Sequence, residues 1–267
     1  MTRTWQFGWL PMGMFPNYPK IRPELPEDIR RIYSEHYKKN RDGGTTAASL
    51  SQRMERWLHR QVASAGNTSP SCPRSTLELG AGTLNQLAYE PMCEAYDIVE
   101  PFKALYAGSP LLSRVRAVYA DISDVETSRR YDRIISVATL EHICNLPEVV
   151  ARSALLLSEN GVFQASIPSE GTPLWTLGWK LTTGLEFRIK HGLDYGLLMK
   201  HEHVNTAWEI EDVLSGFFNT VTCKVFGLTK YWSLYRYYEC HDPDLAACAH
   251  YLAGLPAVEL PARKARA

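Results

Sequence analysis

The sequence has no excess of charge of either sign. Its 267 residues hold 29 Lys and Arg against 29 Asp and Glu, and the pI is near 7.1. Without a basic balance, nothing draws the molecule as a whole to nucleic acid or to an anionic membrane. No run of about 18 apolar residues occurs, so no membrane-spanning segment is expected. Paired cysteines are missing too. Cys72, Cys93, Cys144, Cys223, Cys240 and Cys248 are scattered, with no C-x-x-C. Reduced, buried thiols of a cytoplasmic protein are the expectation, rather than disulfides or zinc. The opening MTRTWQFGWLPMGMFPNYP lacks a continuous apolar segment and is interrupted by prolines, so it is not expected to act as a signal peptide.

What is present suffices for one α/β domain with additions. Hydrophobic residues make up 45% of the chain, enough for a full core. The chain is organised around STLELGAGTLNQL, residues 75–87. A short apolar run ends in an acid and two glycines, which predicts a buried strand entering a tight turn. Glycines there allow a sharp turn and let a ligand lie against the main chain. A second apolar run, YDIVEP, ends in Glu100. A glycine turn after one strand, with an acid at the tip of the next, is the nucleotide-binding logic of doubly wound α/β folds. The dinucleotide fingerprint G-x-G-x-x-G is incomplete, because the third glycine is absent.

The rest of the chain alternates. Strands are predicted at 76–79, 96–99, 115–120, 132–137 and 161–167, and helices near 84–89, 102–107, 147–157 and 207–217. Pro91 keeps the first of these helices short. Thr206 and Glu209 form a T-x-x-E capping box that starts the last one. NTVTCKVF and YWSLYRYYEC read as a final β-pair, followed by a tail expected to be a helix that frays. Residues 1–25 read as an irregular aromatic arm. Helices are expected from Asp28 to about Lys39 and from about Ala47 to Ala63, the second from Leu50, Met54, Trp57, Leu58 and Val62 at helical spacing. The domain reading is therefore an N-terminal arm and helical cap over 1–65 and a ligand-binding domain over 66–267.

The pattern E-x-G-x-G-T resembles motif I of the class I S-adenosylmethionine (SAM) methyltransferases, with Leu84 in place of their usual third glycine. VYADI, YDRIISVATLEHI and ALLLSENGVFQASIP follow in the family's order, so the resemblance covers residues 75–168 with four segments. It implies a Rossmann-like seven-stranded sheet, its last strand antiparallel, with helices on both faces and the helical cap closing over the site. It implies SAM as cofactor, held by Glu78, Gly80, Ala81, Gly82, Glu100, Asp121, Ile122 and Thr139. Glu100 would accept from the ribose hydroxyls, and Asp121 with Ile122 would meet the adenine. A side chain at Gly80 would occupy the place of the cofactor's methionine end.

The implied reaction moves a methyl group to an oxygen or nitrogen of a small molecule, such as a sugar or natural-product intermediate. His142 is a candidate general base, since imidazole titrates near neutrality. Some O-methyltransferases hold a divalent ion with E-x-x-E-H and a remote histidine. Glu141, His142 and His201 or His203 are available here, but Ala138 stands where the first Glu would be, so no metal is expected. The insert 169–205 should build the substrate lid. It holds Trp175, Trp179, Phe187, Arg188, His191 and Tyr195, and the aromatics among them line the pocket or pack beneath the lid. His201, Glu202, His203 and Asn205 follow, with His203 the second candidate catalytic residue. Tyr33, His36, Tyr37, Asn40 and Arg41 form a polar set on the cap. The expected partner is a small-molecule substrate, not nucleic acid; a homodimer is left open. An inactive methyltransferase-like binding module and an NAD-dependent oxidoreductase are the alternatives.

Overall fold

The computed structural model describes residues 14–30, 32, 56–64, 75–92 and 94–255. Its centre is a seven-stranded sheet of order β3-β2-β1-β4-β5-β7-β6. The strands are β1 (Ser75–Leu79), β2 (Ala95–Val99), β3 (Ala117–Tyr119), β4 (Tyr131–Val137), β5 (Leu157–Pro168), β6 (Phe218–Gly227) and β7 (Ser233–Pro243). β1 to β5 run parallel, and β7 is antiparallel to both neighbours. β2 is buried along its whole length and β1 at all but its first residue. That is why both read as continuous apolar runs rather than alternating ones: parallel central strands are covered on both faces.

Each face has its own cluster. Leu77, Leu79 and Ile134 pack with Val150, Ala154, Ile210 and Phe217. These come from helices α3 (Leu146–Leu156) and α7 (Ala207–Phe217), and Cys248 of α8 (Leu245–Ala253) joins them. Tyr96, Ile98 and Ile135 point to the other face, against Val62 of helix α1 (residues 56–64), Leu84 and Leu87. α1 is stitched to the sheet by polar contacts as well. Buried Arg133 donates to Val62 O at 3.1 Å and pairs with Glu90 at 2.6 and 2.8 Å. The Ser166 hydroxyl donates to Leu58 O.

Several predicted elements change on folding. The expected helix at 84–89 is only a 3-10 turn, Asn85–Ala88, entered through Leu84 in the left-handed region at φ 67°. Leu84 is fully buried, and holding it there leaves no room to wind an α-helix before Pro91. The helix expected at 102–107 is the short α2 (Lys103–Tyr106). The expected strand at 115–120 is three residues long. The capping box forms as read: Glu209 N–H donates to the Thr206 hydroxyl, and Thr206 N–H donates to Glu209 Oε2 at 2.8 Å. Residues 27–30 and 32 are helical. The rest of the expected helix to Lys39, residues 47–55, and Tyr33, His36, Tyr37, Asn40 and Arg41 lie outside the described residues.

The insert is helical. α4 (Pro173–Trp179), a π-turn (Lys180–Gly184), α5 (Leu185–His191) and α6 (Tyr195–Glu202) make it up. Tyr195 packs on both Trp179 and Phe187, with ring centroids 5.9 and 5.4 Å apart. These rings hold the insert together, whereas Trp175 borders the smaller cavity described below.

Candidate active site

The sheet reverses its strand order between β1 and β4, and the chain leaves those two strands in opposite directions. A crevice opens at their carboxyl ends. It holds two cavities, of about 490 Å³ and about 730 Å³. Gly80, Thr139 and His142 line both and form the waist between them. The larger is lined by Glu100, Phe102, Asp121 and Ile122. The smaller is lined by Glu78, Ala81, Gly82, Glu141, Trp175 and His203. Every residue expected from the sequence to hold the cofactor or do chemistry therefore borders one cavity or the other.

The glycine turn is held by long-range contacts. Gly82, at φ 50°, donates its N–H to Glu100 Oε2 at 2.8 Å, and Phe102 N–H donates to Oε1 at 2.9 Å. A Cβ built on Gly82 meets nothing within 4 Å, so that backbone faces open cavity. Gly80 differs. It sits at φ 69°, and a Cβ there would lie 2.3 Å from Thr139 Cγ2. Thr139 of the β4 turn by itself thus requires glycine at 80. Asp121 caps its own turn, accepting from Ser123 N–H at 2.8 Å, while bordering the larger cavity.

Glu78 lies at the floor of the smaller cavity, buried, with its Oε2 accepting from the Tyr96 hydroxyl at 2.8 Å. Burial pushes its pKa up to about 8 from 4.5, against the lowering effect of that hydrogen bond. The folded carboxyl keeps its proton where the unfolded one has lost it. The stability this contributes is complete below the ordinary value and is lost as pH rises through about 8. Glu78→Gln is expected to flatten the fall in melting temperature between pH 5 and 8.5, gaining about 1–3 kcal/mol at the alkaline end. Parallel melting curves for the two proteins would refute this.

The reactive groups gather at the waist. His142 Nδ1–H donates to the Glu202 carbonyl at 2.8 Å, which leaves Nε2 as the unprotonated nitrogen of the neutral ring. His203 Nδ1–H donates to Glu170 Oε2 at 2.8 Å, with the same consequence. The two imidazoles meet edge to face, 5.0 Å between centroids. Glu170 also accepts from Trp175 Nε1–H at 2.6 Å and from Gly171 N–H. Burial alone would raise the Glu170 carboxyl, but the His203 and Trp175 N–H groups outweigh it and hold it below its ordinary value. Glu141 is buried and pushed up to about 7 by burial, with the neighbouring His142 imidazole opposing. Its Oε2 has no hydrogen-bond partner among the described residues.

The N-terminal arm reaches the larger cavity through Arg22. Arg22 donates to His142 O at 2.7 Å and to His201 O at 3.0 Å. Tyr18 OH donates to Asn205 Oδ1 at 2.9 Å. His201 turns away from the waist, its Nδ1–H donating to Pro23 O at 2.7 Å. Sequence reasoning missed Glu170. Its signal was an acid directly after the fifth strand, in IPSEG, at the edge where ligands bind.

No protein-family model and no curated protein matches the chain. Solved structures do. One is the plantazolicin methyltransferase BpumL in complex with SAH, at 14% identity and a TM-score of 0.53, covering 81% of this chain and 91% of that one. Another is BpumL with a monoazolic desmethylPZN analog and SAH, with the same identity, coverage and TM-score. A third is the plantazolicin methyltransferase BamL with a triazolic analog and SAH, at 11% identity and a TM-score of 0.51, covering 78% and 90%. With the sheet order and the antiparallel β7, these likenesses show that the chain has the Rossmann-like fold of class I SAM-dependent methyltransferases.

Proposed function

We propose that the protein is a SAM-dependent methyltransferase acting on an oxygen or nitrogen of a small molecule, such as a sugar or natural-product intermediate. One observation carries this reading: two cavities meet at a waist where His142 stands, with His203 beside it in the smaller one. Bound across that waist, SAM supplies a methyl group on a sulfonium centre. The residues fit it. Glu100 keeps lone pairs free on both oxygens for ribose hydroxyls, Ile122 and Phe102 offer apolar contact to a nucleobase, and the open face of Gly82 accepts close approach. Glu78 borders the place for an ammonium group. His203 Nε2 takes the proton from the acceptor, and Glu170 stabilises the imidazolium that forms. Alignment of the two cavities supplies the rest. That BpumL and BamL were solved with desmethylPZN analogs supports a natural-product acceptor. The antiparallel β7 speaks against the all-parallel sheet of a dehydrogenase.

Two experiments test it. Mass spectrometry of the purified protein is expected to show retained SAM or S-adenosylhomocysteine (SAH), and labelled SAM should yield methylated product across sugar nucleotides, small phenols and azole peptides. Retained NAD, or no transfer despite SAM binding, would overturn the reading in favour of an oxidoreductase or a binding module.

A second reading has its own observation. Glu141, His142 and His203 each offer a ligand atom within 4.8 Å of the others, and the Nδ1 contacts of both histidines resemble the outer contacts of metal ligands. Ala138 supplies no fourth ligand. Chelation is therefore expected to leave turnover within about twofold, proton transfer to His203 being unaffected. Loss of activity under EDTA that magnesium or manganese restores would replace the base with a cation.

A further inference from the structure

The chain is neutral overall, and so is the whole insert 169–205, but its α4–α5 part is basic. Leu177, Leu181, Leu185 and Ile189 recur at every fourth residue from α4 through the π-turn into α5. They are 52, 63, 50 and 78% exposed. Positions four apart drift around a straight α-helix, and the wider π-turn offsets that drift, so the four stay on one stripe. The lid does not need them for its own packing, which rests on Phe187, Met199, Trp179 and Tyr195.

A groove of about 630 Å³ adjoins the stripe at Leu185 and is lined also by Lys180, Arg188, Asp194 and Trp179. Neither Lys180 nor Arg188 forms a salt bridge among the described residues; Lys180 lies over the Trp179 ring at 5.8 Å. The Trp179 indole N–H is buried and lacks an acceptor among the described residues. Across 173–191 the charged residues are Lys180, Arg188 and Lys190 against Glu186.

We propose that this lid docks on an anionic lipid bilayer, with the aliphatic stripe among the acyl chains and Lys180 and Arg188 at the level of the phosphates. Long cations lift their charges to that level while their stems stay apolar. Charge favours lipid over a second copy: the chain as a whole carries no excess of acid to meet Lys180, Arg188 and Lys190, whereas lipid phosphates pair with them. α4 supplies Trp175 to the smaller cavity and Leu177 to the stripe, so a docked lid brings the acceptor site beside the bilayer. The docking stands apart from the proposed chemistry.

Co-sedimentation of the full chain with vesicles of phosphatidylcholine, alone or mixed with phosphatidylglycerol, tests it. The parent should bind the mixed vesicles, and salt should weaken binding. Leu185→Glu with Ile189→Glu, both at exposed positions, should lower the bound fraction about tenfold or more. Lys180→Glu with Arg188→Glu should abolish the preference for phosphatidylglycerol. Unchanged melting temperature and SAH affinity show that fold and cofactor site are intact. Failure of the parent to bind, equal binding to both vesicles, or variants that bind like the parent would each overturn the proposal. So would a parent dimer that Leu185→Glu with Ile189→Glu dissolves.

Discussion

His203→Ala lowers the methyl-transfer rate by about 10²–10⁴-fold, with SAH affinity near that of the parent. The expectation follows from how the imidazole is held. Glu170 takes its Nδ1–H at 2.8 Å, so Nε2 carries the lone pair. The carboxylate stays ionised because three N–H groups reach it, and it faces the imidazolium that forms when Nε2 takes a proton. The cofactor contacts proposed at Glu100, Asp121 and Gly82 come from other elements, so binding is spared. Glu170→Gln keeps the shape but removes the charge and the tautomer control, and the rate should fall at least about tenfold. Rate, melting temperature and SAH affinity are measured on one preparation. A rate loss that merely tracks lost folded protein would make His203 structural. Normal rate at normal stability would remove it from the site.

Gly80→Val should cost about 3–5 kcal/mol of stability and abolish measurable SAH binding. Its Cβ would stand 2.3 and 2.4 Å from Thr139 Cγ2 and Oγ1, on a backbone at φ 69°. Thr139 cannot give way freely, because its hydroxyl sits against the carbonyls of Val137 and Gly80 at 3.1 and 3.3 Å. The cause can be isolated. Gly80→Ala combined with Thr139→Gly should recover stability to within the conformational cost of the left-handed residue, about 1–2 kcal/mol. Without recovery, the collision is not the reason. Glu100→Ala is the milder companion. It leaves Gly82 N–H and Phe102 N–H without acceptors and should weaken SAH binding by roughly 1.5–3 kcal/mol. Calorimetry showing parent affinity would detach the larger cavity from the nucleoside.

Much of this architecture is local and could be read from residue order. Leu77, Leu79, Ile98 and Ile135 are apolar runs whose only stable place is a strand covered on both faces. Thr206 and Glu209 lie three apart and satisfy each other whatever else surrounds them. Glu78, Gly80, Gly82 and Glu100 announce a turn and an acid at neighbouring strand tips, and parallel pairing in register puts those tips together.

Tertiary structure decided what depends on approach between distant segments. Glu170 meets His203 only because the insert folds back through three helices, and nothing in either residue's neighbours announces that. Gly80 needs its missing Cβ because β4 lies beside β1 and brings Thr139 within van der Waals distance. Leu84 bends left-handed because its side chain is drawn into the cluster with Val62 and Tyr96, and burial outweighs helix propensity there. Arg22 reaches the carbonyls of His142 and His201 from the far end of the chain. Charge balance was a sum over the whole sequence, and a sum cannot show that Lys180 and Arg188 share one groove beside four exposed aliphatic side chains. Periodicity and capping act over a few residues and are written in order along the chain. The pairings that build the site are set by sheet order, which brings together groups the chain keeps far apart.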